Sequence, residues 1–453
     1  MESIIQFWNR AFPNLHWSRK IEVLPTRAGA LPLSRPTLVF DSGLGRASDW
    51  LPQSIRIPMV RVSDKRVPGA AFAFFHSRKD EFLPERNRSG LHGKVDRRPA
   101  IVPRGDTTFF AFDPEAIVGD MLREWGCGAS RPIASFCPFH YHAVPGWLRR
   151  VIGRLTTMLQ STAEDDLVPV WPGMNAVDVL RYCVLLCGVE NPPAMSEARF
   201  WPEGKTWAVS LSHDADTKHG MANVPQFFEL EQQHGITSTW FFPARHYVLD
   251  RDLLRQLLDA GHEIACHGYN HDCVLPYLKP KWIGDRLRKS AERLSDVGAR
   301  GFRSPALGRT PQLFDELPAH FDYDSSVPDV DGKSGCRTLF PFFLGNLLEI
   351  PITVPMDATL MLHGDAPETI ARTWRRKLDF IRERGGLATL VTHPEPHFSG
   401  RPEMVRIYAE LLEYLADQSD CWLAPMAHIA DWWRKGGKAV RGGSGIRRES
   451  TAP

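Results

Sequence analysis

Two short stretches of this sequence place carboxylates and imidazoles in a pattern that suits metal binding. The first contains Asp214 and Asp216 and ends an alternating apolar and polar run that is typical of a half-buried strand. The second contains His267 and His271, four residues apart, and follows a similar run. One carboxylate and two imidazoles can hold a divalent metal and leave a position open for water. If the two stretches meet in space, the other carboxylate is available as a base.

Two further polar residues, Arg303 and His393, also follow strand-like runs. In strand-helix barrels and open α/β sheets, the carboxyl edge of the strands carries the site, because loops there vary while the sheet stays rigid. Polar chemistry at four strand ends therefore predicts a single site at one edge. Gly268 follows His267 at the place where a His-Glu-x-x-His zinc protease has its glutamate, so the spacing does not indicate that class.

The elements that must position these residues can be read from the periodicity. Beyond residue 200, short strand-like runs alternate with amphipathic helical runs such as 252–258 and 403–416. Repetition on this scale predicts a parallel α/β layout, either closed or open. The strand-like runs are 208–211, 237–242, 263–266, 301–303, 323–325, 348–354, 387–392 and 421–425.

The length of 453 residues exceeds what one ordinary core accommodates, so two domains are expected. Prolines and glycines interrupt all periodicity between residues 188 and 205, which marks the boundary. The first part mixes strand-like and helix-like runs and is predicted to be a separate α+β domain of unknown function. The last residues are mostly Gly, Ser, Arg and Lys and are predicted to be disordered. The predicted divisions are 1–195, 200–436 and 437–453.

Composition limits the partners and the compartment. The chain is 43% apolar and 24% charged, as in soluble globular proteins, and its net charge of +2 is too small to propose nucleic acid as a partner. No apolar run reaches the roughly eighteen residues of a transmembrane helix. The first residues lack the features of a secretory signal, and the eight cysteines show no disulfide framework. We therefore expect a cytoplasmic protein.

Four motifs in order carry a resemblance to a known family. They are Ser-His-Asp-Ala-Asp at 212–216, His-Gly-Tyr-Asn-His at 267–271, Arg-Ser-Pro-Ala-Leu-Gly at 303–308 and Leu-Val-Thr-His at 390–393. In this order they resemble the polysaccharide deacetylase family, also called the NodB-homology or carbohydrate esterase family 4 enzymes. The resemblance implies a distorted (β/α) barrel of about seven strands. It also implies a divalent metal, for which we expect Zn²⁺, and hydrolysis of an N-acetyl or related acyl group on a sugar.

The first motif departs from the family pattern. Its two aspartates are usually adjacent, whereas here Ala215 separates Asp214 from Asp216. By position Asp214 matches the base, and Asp216 is the expected metal ligand beside His267 and His271, although the sequence leaves open which aspartate holds the metal. Residues two apart on a strand share a face, so both can point into the site. The family's tryptophan-bearing fourth motif has no clean match, and 323–326 falls in its place.

The resemblance also implies the chemical roles. The metal polarises the acyl oxygen and lowers the pKa of bound water from about 15.7 toward roughly 7. Asp214 takes the proton from this water, and Arg303 orients Asp214 by a charge-assisted bond that could be bidentate. His393 protonates the departing amine, and the motif favours it over nearby His397.

Some alternatives stay open at this stage. Glu349 and Asp357 border the strand-like run 348–354, and either carboxylate is a candidate to pair with His393. The expected partner is a carbohydrate or sugar-conjugate substrate, used in the assembly of a surface glycan. The same site could instead hydrolyse a non-sugar amide. A third possibility is an inactive metal-binding scaffold in a glycan-assembly complex.

Overall fold

A computed structural model describes most of the C-terminal part of the chain and selected segments of the N-terminal part. The predicted tail at 437–453 lies outside the described residues. The described ranges are 2–18, 20–23, 37–40, 58–62, 71–74, 95–99, 101–104, 107–110, 114–123, 175–193, 197–329 and 335–436.

The described N-terminal segments contain both helices and strands, in agreement with the predicted α+β class. The three helices are α1 (Ile4–Ala11), α2 (Pro114–Leu122) and α3 (Ala176–Gly188). Three strands form one sheet in the order β1-β7-β6, and four form another in the order β2-β4-β3-β5. Their bounds are β1 Lys20–Val23, β2 Thr37–Phe40, β3 Pro58–Val62, β4 Ala71–Phe74, β5 Val95–Pro99, β6 Ile101–Arg104 and β7 Thr107–Phe110.

The C-terminal part is organised around one curved sheet of nine strands. Its order is β13-β14-β12-β11-β10-β9-β8-β15, and β16 pairs with the first half of β8. The bounds are β8 Trp207–Asp214, β9 Thr239–Phe242, β10 Glu263–Cys266, β11 Gly301–Phe302, β12 Tyr323–Asp324, β13 Phe342–Leu344, β14 Leu347–Glu349, β15 Leu387–Thr392 and β16 Cys421–Leu423.

Seven of these strands run parallel to one another around the barrel. Every pairing from β15 through β8 to β12 and β14 is parallel, whereas β13 is antiparallel to β14. The segment after β14 connects it to β15 at the other end of the strand order. The Val354 amide donates to the Thr389 carbonyl at 3.1 Å, and the Thr353 hydroxyl donates to the Leu387 carbonyl at 2.7 Å. The predicted distorted barrel of about seven strands is confirmed.

Helices cover the outside of the barrel, and amphipathic sequences explain their packing. In α10, for example, buried residues recur at the three- and four-residue spacing of one helix face. Among the described residues, no helix has the length and apolar character needed to cross a membrane. The bounds are α4 Lys218–Gln233, α5 Arg251–Asp259, α6 Pro280–Arg293, α7 Pro311–Glu316, α8 Asp357–His363, α9 Pro367–Arg382, α10 Pro402–Ala416 and α11 Met426–Arg434, with 3₁₀ turns at Pro202–Gly204, Leu275–Tyr277, Ser295–Val297, Pro305–Leu307 and Leu317–Ala319.

The N-terminal helices pack against the end of the barrel where the strands begin. Phe7 of α1 lies against Phe340 and Phe200, with ring centroids 5.2 and 4.9 Å apart. Arg10 donates to the Trp433 carbonyl at 2.8 Å. Trp433 is itself buried, so it packs inside the protein. These contacts make α1 part of the same apolar core as the barrel.

Candidate metal centre and active site

Strand β8 carries the two aspartates to the carboxyl edge of the barrel. Ser212 and Asp214 point to the same interior face, because both contact the guanidinium of Arg303. Asp214 is the last residue of β8, and the Ala215 amide still pairs with the Phe241 carbonyl at 3.1 Å. Asp216 therefore lies just beyond the end of the strand ladder, buried at the mouth of the barrel.

Strand β10 and a tight turn supply the two histidines. The amide of His267 donates to the Phe242 carbonyl at 2.8 Å, which extends the pairing of β10 with β9. Gly268 then turns the chain with φ +72, and a Cβ there would lie 2.9 Å from Cδ of Pro305. The turn places the rings of His267 and His271 with centroids 5.0 Å apart. His271 itself has φ +54, a left-handed conformation that costs energy for a residue with a side chain.

The three residues expected to bind metal converge. Oδ1 of Asp216 lies 3.1 Å from Nε2 of His267 and 3.0 Å from Nε2 of His271. The three ligand atoms lie within 4.8 Å of one another, and all three residues are buried. Zn²⁺ binds imidazole nitrogen and carboxylate oxygen at about 2.0 to 2.2 Å in tetrahedral sites, so ligand atoms about 3 Å apart fit the donor set.

A second contact of His267 fixes the orientation of its ring. Nδ1 of His267 lies 3.0 Å from the carbonyl oxygen of Arg303. A carbonyl oxygen can only accept, so Nδ1 carries the proton and Nε2 presents its lone pair toward Asp216 and His271. Metal-binding histidines commonly have this arrangement. The residues present therefore fit a divalent metal.

Asp214 lies beside this cluster and is held by Arg303. Oδ1 of Asp214 accepts from Nη1 of Arg303 at 2.6 Å, and Oδ2 lies 3.7 Å from Nε2 of His267. Burial by itself would raise the pKa of Asp214, but the positive charge of Arg303 beside it lowers this pKa below the usual value. Asp214 is therefore ionised at neutral pH and able to accept a proton.

Arg303 is fully buried, and its remaining nitrogens bind elsewhere. Nε donates to the Ser325 carbonyl at 2.9 Å, and Nη2 donates to the Ser325 hydroxyl at 3.1 Å. Phe241 lies under the guanidinium, with Cζ 4.0 Å from the ring centroid. The bond to Asp214 uses a single nitrogen, so the bidentate geometry considered from the sequence is absent between these two residues.

His393 is at the end of β15 and is paired with Asp357. Nδ1 of His393 lies 2.7 Å from Oδ1 of Asp357, whose other oxygen accepts from the His393 amide at 2.8 Å and the Ser399 hydroxyl at 2.6 Å. Burial would lower the pKa of His393, but the Asp357 carboxylate raises it to about 10. The imidazole therefore holds a proton at neutral pH.

Sequence reasoning left the partner of His393 undecided, and the structure separates the two candidates. Asp357 contacts His393, whereas Glu349 accepts from the backbone amides of Ser326 and Val327 at 3.0 and 2.8 Å. The Glu349 carboxyl also lies against Asp324, within the segment 323–326 that took the place of the fourth motif. Ser325, the residue that holds Arg303, had no signal in the sequence beyond this neighbourhood.

Part of this chain is similar to known proteins. Residues 203–316 match the sequence model of the polysaccharide deacetylase family. A peptidoglycan deacetylase of Helicobacter pylori is 21% identical over 246 residues, which are 47% of this chain and 84% of that protein. A Mycobacterium smegmatis structure described as a polysaccharide deacetylase is 24% identical, with a TM-score of 0.45, and the match covers 55% of this chain and 96% of that one. A Puue allantoinase structure is 18% identical, with a TM-score of 0.44, covering 56% and 98%.

The match to the family model begins just before β8 and ends in α7, so it includes the two aspartates, the two histidines and Arg303. The Helicobacter pylori relative extends the similarity over most of its own length. Within residues 203–316, the chain is therefore similar to the polysaccharide deacetylase family, the NodB-homology or carbohydrate esterase family 4 proteins.

Proposed function

We propose that this protein is a metal-dependent hydrolase that removes an N-acetyl or related acyl group from an amino sugar in a glycan or sugar conjugate. The observation that supports it most is the convergence of Asp216, His267 and His271 beside an ionised Asp214. Similarity to the polysaccharide deacetylase family supports the sugar amide as the substrate. We infer Zn²⁺ as the cofactor, because one carboxylate and two imidazoles form a common catalytic zinc site.

When bound by Asp216, His267 and His271, the metal supplies Lewis-acid polarisation of the acyl oxygen and lowers the pKa of water. Asp214 is the base. Its Oδ1 is occupied by Arg303, and its Oδ2 lies toward the metal-facing nitrogen of His267. We infer that this second oxygen takes the proton of the water molecule, and the lowered pKa of Asp214 keeps the carboxylate ionised until then.

His393 is the acid in this proposal. An amine is a poor leaving group unless its nitrogen is protonated as the bond to the acyl carbon breaks. The imidazole carries a proton because Asp357 stabilises the charged form, and its side chain is 11% exposed at the edge of the site. His393 would donate this proton to the departing nitrogen, and Asp357 would hold the ring in position while it does so.

The first test is removal of the base. Asp214→Asn keeps the size of the side chain but cannot accept the proton, so we expect acetate release to fall about 10²- to 10⁴-fold. Metal content should stay at the wild-type stoichiometry, because Asp214 is not among the three proposed ligands. The assay uses Zn²⁺-loaded protein with N-acetylated oligosaccharides and, in parallel, N-acetylated non-sugar amides.

Asp252→Asn is the matched control, since the Asp252 side chain is 85% exposed on α5 and should leave activity unchanged. Undiminished activity in Asp214→Asn would reject Asp214 as the base. Release of acetate from the non-sugar amides alone would favour the alternative amide hydrolase. Bound metal without turnover of any substrate would favour the inactive scaffold.

Two other expectations stay predictions. A cytoplasmic location can be tested by fractionating cells that produce the protein. The expected lack of affinity for nucleic acid can be tested by titrating the protein into labelled oligonucleotides at low salt, where weak electrostatic binding is strongest.

A further inference from the structure

Asp216 lies beyond the end of β8, and side chains from two other loops bind the peptide groups on either side of it. Tyr247 comes from the loop after β9 and contacts the carbonyl of Ala215. Glu395 comes from the loop after β15 and contacts the amide of Thr217. We refer to Tyr247 and Glu395 as the Asp216 clamp.

Tyr247 is the donor of the clamp. Its hydroxyl donates to the Ala215 carbonyl at 2.5 Å. Burial raises the pKa of Tyr247 well above its usual value. The phenol therefore keeps its proton and remains a donor.

Glu395 is the acceptor of the clamp. Its Oε1 accepts from the Thr217 amide at 3.1 Å, and the residue is fully buried. A Cβ at Gly220 would lie 2.2 Å from the same oxygen, so the first turn of α4 approaches Glu395 closely only because residue 220 has no side chain.

The spacing of the aspartates explains why such a clamp is needed. If the two were adjacent, the second would directly follow the strand. Here Ala215 intervenes, and the chain must hold Asp216 one residue farther from the sheet. Oδ1 of Asp216 must nevertheless stay about 3 Å from two imidazole nitrogens to share a metal with them.

We propose that Tyr247 and Glu395 are positioning residues that fix the Ala215–Thr217 backbone, and through it the Asp216 carboxylate, for metal binding. This inference rests on the proposed metal-dependent function and adds to it two residues outside the ligand set. Glu395 also lies two residues after His393, so the clamp joins the loop that carries the acid to the loop that carries the metal ligand.

The effect of the Asp216 clamp can be measured as a change in metal affinity, which requires no substrate. Zn²⁺ affinity is determined by competition with a chromophoric chelator for the full chain. Glu395→Ala and Tyr247→Phe should each weaken binding about 10- to 100-fold, the usual effect of losing a residue that supports a metal ligand. Glu395→Gln keeps an oxygen acceptor for the Thr217 amide and should stay within about threefold of wild type.

Matched controls are available on α10. Glu413→Ala removes an exposed carboxylate, and Tyr414→Phe removes a hydroxyl that bonds Asp379 at the surface. Both should leave Zn²⁺ affinity unchanged. If Glu395→Ala fails to fold, Tyr247→Phe decides the same question, because it removes a single oxygen atom.

A double-mutant cycle separates positioning from general destabilisation. In an Asp216→Ala background there is no carboxylate left to position, so adding Glu395→Ala or Tyr247→Phe should cause no further loss of affinity. Additive losses in that background would overturn the proposal, as would wild-type affinity in both single variants. A wild-type chain that binds no divalent metal would overturn the proposed function together with the clamp, whereas metal binding that ignores the clamp would overturn the clamp alone.

Discussion

At the residue scale, the pair of His393 and Asp357 makes a prediction about pH dependence. The carboxylate of Asp357 raises the pKa of His393 to about 10, so the acid stays protonated through the neutral range. Asp357→Asn removes the negative charge and should lower this pKa. Since a general acid works only below its pKa, the alkaline limb of kcat/KM should move to lower pH by about 1 to 3 pH units.

The measurement is a pH-rate profile of the Zn²⁺-loaded protein from pH 5 to 11, with Asp252→Asn as the exposed control. Asp214 should contribute no acidic limb in this range, because its pKa lies below its usual value. An alkaline limb that stays where it is in Asp357→Asn would contradict the role given to the pair. Loss of activity at every pH with no change of profile would mean that Asp357 acts only by holding the ring.

A second carboxyl cluster, inside the barrel, predicts an effect on stability. Burial raises the pKa of Asp324 to about 6, and burial together with the neighbouring Asp324 charge raises that of Glu349 well above its usual value. Both groups bind a proton more tightly in the folded state than in the unfolded state. Their stabilising contribution is therefore complete below about pH 4 and is lost as the pH rises through 6.

Glu349→Gln should reverse this loss. The amide oxygen can still accept from the Ser326 and Val327 amides, and the amide nitrogen can donate to Asp324. The pair then no longer needs a bound proton between Glu349 and Asp324. We expect the variant to exceed wild type in free energy of unfolding at pH 8 by on the order of 1 to 3 kcal/mol, and by less at pH 4.5. Urea unfolding of the metal-free proteins at both pH values measures this, with Glu413→Gln as control. If the variant and wild type differ by the same free energy of unfolding at both pH values, the Glu349 and Asp324 pair does not bind a proton on folding.

At the element scale, the turn between His267 and His271 depends on Gly268. Alanine there would adopt φ +72 and bring its Cβ to 2.9 Å from Pro305. We expect Gly268→Ala to cost about 1 to 2 kcal/mol for the left-handed backbone. The steric displacement of Pro305 should add to this loss and weaken Zn²⁺ binding, because the turn positions both imidazoles.

Gly235→Ala is the control that isolates the backbone effect. Gly235 has φ +65, but no atom lies within 4 Å of the Cβ position. It should lose only the backbone contribution and keep full metal affinity. Chemical unfolding and chelator competition measure the two quantities. Equal losses of stability in the two variants, with metal affinity kept in both, would show that the contact with Pro305 has no part in forming the site.

The sequence predicted several strands well because their patterns were local. β10 and β15 match the predicted 263–266 and 387–392 in full. β8 is four residues longer than predicted: it begins one residue earlier, at Trp207, and Ser212, His213 and Asp214 are polar but remain in the strand. Their polar groups are satisfied inside the protein: His213 bonds Thr392 and Glu231 at 2.8 and 2.9 Å, which a local pattern cannot reveal.

Other differences also have tertiary causes. The predicted run 348–354 divides into β14 and a bridging segment, because Pro351 has no amide hydrogen to continue the ladder. β13 was not among the predicted strands. The predicted site residues lie together at one edge, as motif order indicated, but the choice of Asp357 over Glu349 required knowing which carboxylate faces His393.

At the scale of the whole molecule, the question is how far the N-terminal part is separate. The boundary between 1–195 and 200–436 stays a prediction, but α1 and α3 contribute to the core beneath the barrel. Buried Arg181 of α3 lies over the Phe7 ring at 4.1 Å and donates to the Thr338 hydroxyl at 3.2 Å. Asp178 accepts from the same hydroxyl at 2.6 Å. Contacts of this kind make unfolding of these helices and of the barrel interdependent.

Phe7→Ala tests this dependence. Phe7 is 1% exposed and contacts Phe340 and Trp433 of the barrel, so removing its ring should lower the free energy of unfolding by about 3 to 5 kcal/mol. Ile5→Ala, on the same helix at a position 41% exposed, should change it by less than about 0.5 kcal/mol. Hydrogen exchange of β8 and β15 amides locates the effect. If the helices and barrel unfold together, exchange in both strands accelerates in Phe7→Ala, whereas unchanged protection there would show that the barrel folds independently of α1.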